Sequence, residues 1–128
     1  MFSDLNVFKM AYAMATHAGQ RQAVIARNMA NADTPGYRAR DIAGFGSAYS
    51  DSLGAEMAAT REGHLNRAAQ GARGWDDFPV ASRQDPNGNS VSLEEQMLKA
   101  VEVKRQHDRA LAIYRSSLGV LRASLGKA

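Results

Sequence analysis

Two long segments without proline, one at each end of the chain, constrain its fold more than any other feature. Residues 4–32 and 93–125 each contain a single glycine and are rich in residues that favour helix. At about 1.5 Å per residue, such helices would be roughly 43 and 50 Å long. A compact domain of this length has a radius of gyration of only about 14 Å. The sequence therefore predicts a mainly α-helical, elongated molecule whose two terminal helices form an antiparallel coiled coil.

Apolar residues in the N-terminal segment recur at alternating steps of three and four, which is the spacing of a coiled-coil seam. We call this seam the N-terminal row; it consists of Phe8, Ala11, Ala15, Ala18, Gln22, Ile25 and Met29. A second row lies one residue earlier and includes His17 and Val24. The two rows together are wider than one partner helix would cover.

The C-terminal segment has the same alternation. We call its seam the C-terminal row; it consists of Leu93, Met97, Ala100, Lys104, His107, Leu111, Tyr114, Leu118, Leu121 and Leu125. Val103 and Ala110 lie on an adjacent row. Ser92 and Glu95 have the spacing of a capping box, so Ser92 is the expected N-cap of this helix.

A coiled coil of only two helices would leave the outer apolar rows exposed, and such rows usually mark an association surface. We therefore predict an assembly of subunits that lie side by side. The helix residues expected to take part are Phe8, Ala15, Ile25, Met29, Leu93, Met97, Leu111, Tyr114, Leu118, Leu121 and Leu125. Charged replacements of Ile25 or Leu118 are expected to block this assembly more than export.

The stretch that follows the first helix carries the most specific residues of the chain: Asn28, Asn31, Thr34, Pro35, Gly36 and Tyr37. Pro35 disfavours helix at the residue before it, so the helix should end near residue 32 or 33. Pro35 and Gly36 suit a type II turn. Asn28 and Asn31 lie on one helix face, where their amides can bind the turn of their own chain or a neighbouring subunit.

The chain divides into residues 1–37, an irregular glycine-rich middle segment of residues 38–91, and residues 92–128, all in one structural unit. Within the middle segment, the sequence predicts a short helix over 53–61. Over 74–80 it predicts either extended chain or a small β-hairpin. Phe45, Tyr49, Trp75 and Phe78 are candidates for a local aromatic cluster. Asp85-Pro86-Asn87-Gly88-Asn89 is a strong turn signal. Much of this segment could equally be disordered in an isolated monomer.

Charge and composition narrow the function classes. The net charge of +3 combines +3 in residues 1–40, −3 in residues 41–92 and +3 in residues 93–128, which is compatible either with solvated helix faces or with self-association. The sequence pI of about 9.5 keeps a helical nucleic-acid-binding protein as the alternative function. The absence of cysteine excludes disulfides and thiolate metal sites.

The sequence contains few candidate catalytic or metal-binding residues. His107 and Asp108 beside Lys104 suggest at most an acid-base pair, as in a small secreted enzyme, because the spacings of metal-binding histidine motifs are missing. We therefore expect no enzyme activity, cofactor or metal. The first residues lack the cationic region of a signal peptide, so a protein that leaves the cytoplasm would keep its N-terminus.

The motif Asn28-x-x-Asn31-Ala32-x-Thr34-Pro35-Gly36-Tyr37 at the end of a long helix resembles the N-terminal signature of the flagellar axial proteins, the family of rod, hook and hook-associated subunits. Three further stretches are similar to the proximal rod members of that family: residues 60–65, 85–97 and 112–115. Gln96, Ser90 and Ser92 depart from the family pattern. The resemblance covers both terminal helices and the turn before the second one.

This resemblance implies a structural subunit of the periplasm-spanning rod that is exported by the flagellar type III apparatus without a cleaved signal peptide. The partners it implies are other copies, neighbouring rod proteins, the rod-base adaptor and membrane-ring proteins. Nucleic acid and small-molecule substrates are not among them. It also implies that the terminal segments become helical only on incorporation, which would limit premature aggregation.

Overall fold

The computed structural model describes residues 2–54 and 75–126 of the chain. Its elements in chain order are α1 (Phe2–Ala30), β1 (Arg40–Ile42), α2 (Phe45–Gly54), β2 (Asp77–Pro79) and α3 (Leu93–Leu125). The two long terminal helices confirm the predicted mainly α-helical class. Within the described residues, no helix is both long enough and apolar enough to cross a membrane.

Helices α1 and α3 pack against each other in antiparallel orientation. The rings of Phe8 and Tyr114 meet edge to face at 5.3 Å near one end of the pair. The amide of Gln106 donates to the Met14 carbonyl at 3.1 Å further along the pair. The core between the helices is formed by Ala18, Ile25 and Val103, with Ala100 packed beside them. Because two of these four side chains are alanine, the two helix backbones can approach closely there.

The face that α3 turns toward α1 includes only part of the predicted seam: Ala100 and Tyr114 of the C-terminal row contact α1. The buried residues of α3 are Gln96, Val103 and Ala110, which are spaced by seven and so form one heptad column. The heptad period of the sequence is therefore right, but the contacting column lies one position before residues 97, 104 and 111 of the C-terminal row. The physical reason is that polar groups of α1 bind Gln96 and Gln106, as described below.

A two-stranded antiparallel sheet lies beside α1. Arg40 pairs with Pro79, Asp41 with Phe78, and Ile42 with Asp77. Of the two alternatives predicted for residues 74–80, extended chain is confirmed, and it pairs with β1 in a small antiparallel sheet. The partner strand precedes it by 37 residues, and the Arg40 guanidinium joins the strands by donating to the Asp77 carboxylate at 2.7 Å.

Helix α2 begins earlier than the sequence predicts. Its first turn is closed by the amide of Ala48 and the hydroxyl of Ser47, which both donate to the Gly44 carbonyl at 3.0 Å. The predicted start at residue 53 falls within the end of this helix, and residues 55–61 of that prediction lie outside the described residues. The stretch 60–65 that carries part of the family resemblance also lies outside them.

Candidate assembly site

The junction between α1 and β1 is organised by Asn28, which is fully buried. Its amide nitrogen donates to the Arg40 carbonyl at 2.7 Å and to Gln96 Oε1 at 3.0 Å. Its amide oxygen accepts from the Arg40 amide at 3.0 Å and from the Tyr37 hydroxyl at 3.3 Å. Asn28 therefore joins the end of α1 to β1, to the motif turn and to α3 of the same chain.

Asn31 closes the helix end locally. Its amide nitrogen donates to the Arg27 carbonyl at 2.8 Å, and its oxygen accepts from the Thr34 hydroxyl at 3.1 Å. The Tyr37 amide donates to the Thr34 carbonyl at 3.3 Å and Gly36 has φ +74°, which are features of a type II turn. Both asparagines of the motif thus bind their own chain.

The motif turn packs against the second predicted turn, residues 85–89. Gly88 donates to the Asp85 carbonyl at 2.8 Å and has φ +83°, as expected for a type I turn followed by a left-handed residue. A Cβ atom on Gly88 would lie 3.3 Å from Gly36 Cα. The two turns therefore meet backbone to backbone, and each needs glycine for its positive φ.

Asn89 locks the two turns together. Its side-chain nitrogen donates to the Asn31 carbonyl at 2.9 Å and to the Thr34 carbonyl at 2.8 Å, while its oxygen accepts from the Val91 amide at 2.8 Å. The Ser90 hydroxyl accepts from the Ala39 amide at 2.9 Å. The chain that enters α3 is consequently held by the chain that leaves α1.

A buried ion pair connects α1 to β1 and α3. Arg21 binds both carboxylate oxygens of Asp41, at 2.9 and 3.0 Å, and Lys99 Nζ approaches the same carboxylate at 3.4 Å. Burial by itself raises the pKa of Asp41, but the hydrogen bonds from Arg21 and the Ile42 amide, with the charges of Arg21 and Lys99, outweigh it and lower that pKa. Asp41 is therefore held as a carboxylate.

His17 is the second fully buried polar residue of α1. Its Nε2 lies 2.7 Å from the Ala43 carbonyl, and its Nδ1 lies 2.9 Å from the amide nitrogen of Gln106. Since a carbonyl only accepts and an amide nitrogen only donates, the imidazole is neutral with its proton on Nε2. The rings of Phe45 and Trp75 pack against it edge to face at 5.6 and 4.8 Å.

The environment of His17 opposes its protonation. Burial lowers the pKa of His17 below its ordinary value of 6.5, the Ala43 carbonyl raises it, and the charges of Arg21 and Asp41 act in opposite directions. The expected aromatic cluster therefore forms around a histidine. Phe45 and Tyr49 stack at 5.3 Å, whereas Phe78 is half exposed on β2.

The N-terminal row splits between two environments. Ala11, Ala18 and Ile25 are buried; Phe8 and Ala15 are half-buried, and Met29 is exposed. Because Ile25 is 1% exposed in the α1–α3 core, a charged residue there would disrupt the subunit itself. Ile25 therefore lies in the core of the subunit, and its part in assembly stays a prediction.

The C-terminal row lies mostly at the surface. Leu118 is half-buried; the exposed members among the predicted assembly residues are Leu93, Met97, Leu111, Tyr114, Leu121 and Leu125. Met97 is 60% exposed and Leu125, the last residue of α3, is 71% exposed. The exposed side chains assigned to assembly on α3 can therefore meet a partner, apart from the part of Tyr114 that packs on Phe8 of α1.

An apolar groove runs between α1 and the C-terminal row. Its volume is about 460 Å³, and its lining residues are Ala18, Gly19, Gln22, Ala100, Val101, Val103, Lys104 and His107. A Cβ atom on Gly19 would meet nothing within 4 Å, so there is open space beside α1 at this point of the groove. The groove has room for side chains of another helix.

Ser92 stands at the N-cap of α3, where its hydroxyl accepts from the Glu95 amide at 3.4 Å. The Glu95 carboxylate contacts Lys99 Nζ at 2.9 Å in place of the return bond of a capping box. His107 and Asp108 are exposed, and Asp108 pairs with Lys104 at 2.9 Å. The Asp108 carboxylate is therefore bound to Lys104 of the same helix.

Sequence alone does not single out Asn89 or Asp41, although both are central to this arrangement. Asn89 is the last residue of a turn signal and Asp41 is the single acid of a short strand, and neither position indicates in the sequence that the side chain is buried. Gln96 is visible in the sequence only as a departure from the axial pattern. Its role depends on Asn28, which lies 68 residues earlier.

Two long terminal helices, a Pro-Gly turn anchored by asparagines and an exposed apolar helix face define a structural subunit of the flagellar rod class. In agreement, a family model described as flagella basal body rod protein matches residues 14–38. The flagellar basal body rod protein FlgB of Agrobacterium fabrum (strain C58) is 35% identical over an alignment of 118 residues that covers 88% of this chain and 87% of the relative. FlgB of Salmonella typhimurium (strain LT2) is 29% identical over 108 residues, 77% of this chain and 78% of the relative. The chain belongs to the FlgB family of flagellar basal body rod proteins.

Proposed function

We propose that this protein is a structural subunit of the proximal rod of the bacterial flagellar basal body and that it polymerises through its terminal helices. The observation that carries the proposal is the exposed C-terminal row. Its large exposed side chains extend along α3 from Leu93 to Leu125, next to the column of Gln96, Val103 and Ala110 that α1 covers. Burial of such side chains between subunits supplies the main driving force for association.

In this role the protein contributes to the periplasm-spanning drive shaft and to the wall of the export channel. Its partners are other copies, other rod proteins, the rod-base adaptor and the membrane-ring proteins. The flagellar type III apparatus delivers it to the periplasmic rod. The proposal assigns it no catalytic residue, cofactor, metal, nucleic acid or small-molecule substrate.

Met97 and Leu98 provide a matched test of the C-terminal row. They are neighbours with similar exposure, 60% and 69%, but their side chains point about 100° apart around the helix. We expect Met97→Glu to abolish motility in a strain that lacks the native protein, because it places a charge in the apolar contact. Leu98→Glu should leave motility close to normal.

Two further readouts separate assembly from export and from folding. Immunoblots of the periplasm and culture medium should show both variants exported, and purified basal bodies should contain the Leu98→Glu protein but not the Met97→Glu protein. Rods that incorporate both proteins equally would contradict the assembly role of the row. Salt-sensitive binding of DNA or RNA below micromolar concentration would instead favour the nucleic-acid alternative.

A further inference from the structure

We propose that Asn87 is a site of spontaneous deamidation that reacts while the terminal segments are apart and is protected once the motif turn docks on the second turn, residues 85–89. Asn87 is the only asparagine of the sequence that is followed by glycine. Glycine has no side chain to shield its amide nitrogen, so Asn-Gly is the dipeptide most prone to this reaction. The consequence for assembly rests on the proposed function, whereas the chemistry does not.

The reaction needs only groups of the chain and water. The Gly88 amide nitrogen loses its proton to water and attacks Cγ of Asn87, which closes a succinimide ring. The Cγ–N bond of the side-chain amide breaks, and its nitrogen takes a proton and leaves as ammonia. Water then opens the ring at Cγ, which gives aspartate, or at the backbone carbonyl, which gives isoaspartate. Asn87 is exposed, so water reaches it.

The docked turns hold the peptide plane that has to move in this reaction. Asn87 is the third residue of a type I turn, where ψ is about 0° and the Gly88 nitrogen is turned away from Cγ. The Asn87 carbonyl and the Gly88 amide belong to one rigid plane. That carbonyl accepts from the Gly36 amide at 3.1 Å, and the Gly88 amide donates to the Asp85 carbonyl at 2.8 Å. Rotation of the plane toward the side chain would break both bonds.

The side chain of Asn87 is held as well. Its Oδ1 accepts from the Asn89 amide at 3.0 Å, as in an Asx turn. The Asn89 side chain in turn donates to the carbonyls of Asn31 and Thr34 at 2.9 and 2.8 Å. These carbonyls and the Gly36 amide belong to the chain that leaves α1. Protection of Asn87 therefore requires both ends of the chain to be in place.

The two products differ in their effect on the docked turns. Aspartate keeps the backbone and offers an oxygen to the Asn89 amide. Isoaspartate carries the chain through Cβ and Cγ, which adds a carbon atom to the backbone and removes the carbonyl that Gly36 binds from the turn. A Cβ atom on Gly88 would already lie 3.3 Å from Gly36 Cα, so the contact has little room for a displaced chain. Isoaspartate at position 87 therefore prevents docking.

Asn87 thus limits how long an undocked chain remains competent for assembly. A chain that docks promptly keeps its amide, because the reactive groups are then held apart. A chain that stays undocked accumulates isoaspartate and loses the contact between the two turns. The rod consequently selects subunits that have spent little time undocked.

Mass spectrometry measures the protection. Trypsin cleaves after Arg83 and Lys99, and the peptide 84–99 contains Asn89 as an internal control. The full chain is incubated in guanidinium chloride and, in parallel, within purified basal bodies at the same pH and temperature. We expect Asn87 to convert faster than Asn89 in the denatured chain, and about tenfold or more slowly in basal bodies than in the denatured chain.

Two results would overturn the site. One is equal conversion of Asn87 in the denatured chain and in basal bodies, which would show that docking gives no protection. The other is conversion of Asn87 no faster than that of Asn89 in the denatured chain. Asn87→Gln is the matched variant, since a longer side chain closes the ring poorly, and it should abolish the fast conversion.

The ratio of the two products tests the exclusion from the rod. Both arise from the same succinimide, so unassembled chains of the same cells provide the reference ratio, in a strain that lacks isoaspartate repair. Liquid chromatography separates the two forms of the peptide 84–99. We expect the ratio of isoaspartate to aspartate to be about tenfold lower in basal bodies, as for the loss of one hydrogen bond in the docked form. Equal ratios would overturn the exclusion.

The two proposals fail in different ways. A chain that is present in basal bodies with an unchanged product ratio overturns the exclusion and leaves the rod function standing. A chain that is absent from basal bodies overturns the rod function and the assembly step, while rapid conversion of Asn87 in the denatured chain still establishes the reactive site.

Discussion

Asn28 and Asn31 belong to the same motif but have very different surroundings. All four hydrogen-bonding positions of the buried Asn28 amide are used, whereas Asn31 makes two local bonds at an exposed helix end. Asn28→Asp removes two donors and places a carboxylate against the Arg40 carbonyl. We expect it to lower the free energy of unfolding by about 3 kcal/mol, and Asn31→Asp by less than about 1 kcal/mol. Urea denaturation followed by circular dichroism at pH 7 measures both, and equal losses would contradict the ranking.

Three glycines make a second comparison at the residue scale. Gly36→Ala should cost about 1 kcal/mol because its φ of +74° is unfavourable for a residue with a Cβ. Gly88→Ala should cost more, because its Cβ would also press on Gly36. Gly19→Ala, in an open position of α1, should stabilise the protein by roughly 0.5–1 kcal/mol. The same denaturation series checks the order, and a stabilising Gly88→Ala would show that the two turns can move apart.

At the scale of elements, the bounds of α3 could be predicted because local signals agree. Ser92 supplies the cap, the turn at 85–89 precedes it, and no proline interrupts the segment that follows. The column that faces α1 could not be predicted, since neighbouring columns both carry apolar residues at heptad spacing. Which column faces α1 depends on two hydrogen bonds between the helices. Asn28 binds Gln96, 68 residues away, and His17 binds Gln106, 89 residues away. The motif turn was likewise visible in the sequence, but its contact with the second turn was not.

Two alanine substitutions can distinguish the buried α1–α3 contact from the exposed C-terminal row. Ile25→Ala removes a side chain that is 1% exposed in the α1–α3 core, so the free energy of unfolding should fall by about 2–5 kcal/mol. Met97→Ala changes a side chain that is 60% exposed and should cost less than about 0.5 kcal/mol. Thermal unfolding of dilute, monomeric protein makes the comparison. A large loss for Met97→Ala in that state would place the C-terminal row inside the subunit.

At the scale of the whole molecule, His17 joins the helix pair to the middle segment. It contacts Gln106 on α3, the Ala43 carbonyl before α2, and the ring of Trp75 ahead of β2. Protonation of Nδ1 would set two donors against each other and require the Gln106 amide to turn away from the Met14 carbonyl. The packing of three elements on α1 therefore depends on a neutral imidazole.

This dependence gives a pH prediction with a defined sign. The folded protein lowers the pKa of His17, whereas the unfolded chain binds a proton near the ordinary value of 6.5. The unfolded state therefore takes up more protons as pH falls through that value, so this contribution to stability is present above 6.5 and is lost below it. The lowered pKa of Asp41 acts in a separate range, since its contribution is lost only as pH falls below the ordinary carboxyl value of 3.8.

We expect the free energy of unfolding to decrease from about pH 7.5 to about pH 5.5, the range in which histidine titrates. His17→Gln should flatten this slope, even if its absolute stability is lower, because the titrating group is gone. His107→Gln, on the exposed face of α3, is the matched control and should keep the native slope. Urea denaturation at several pH values provides the slopes, and a His17→Gln protein with the full native slope would assign the dependence to another group.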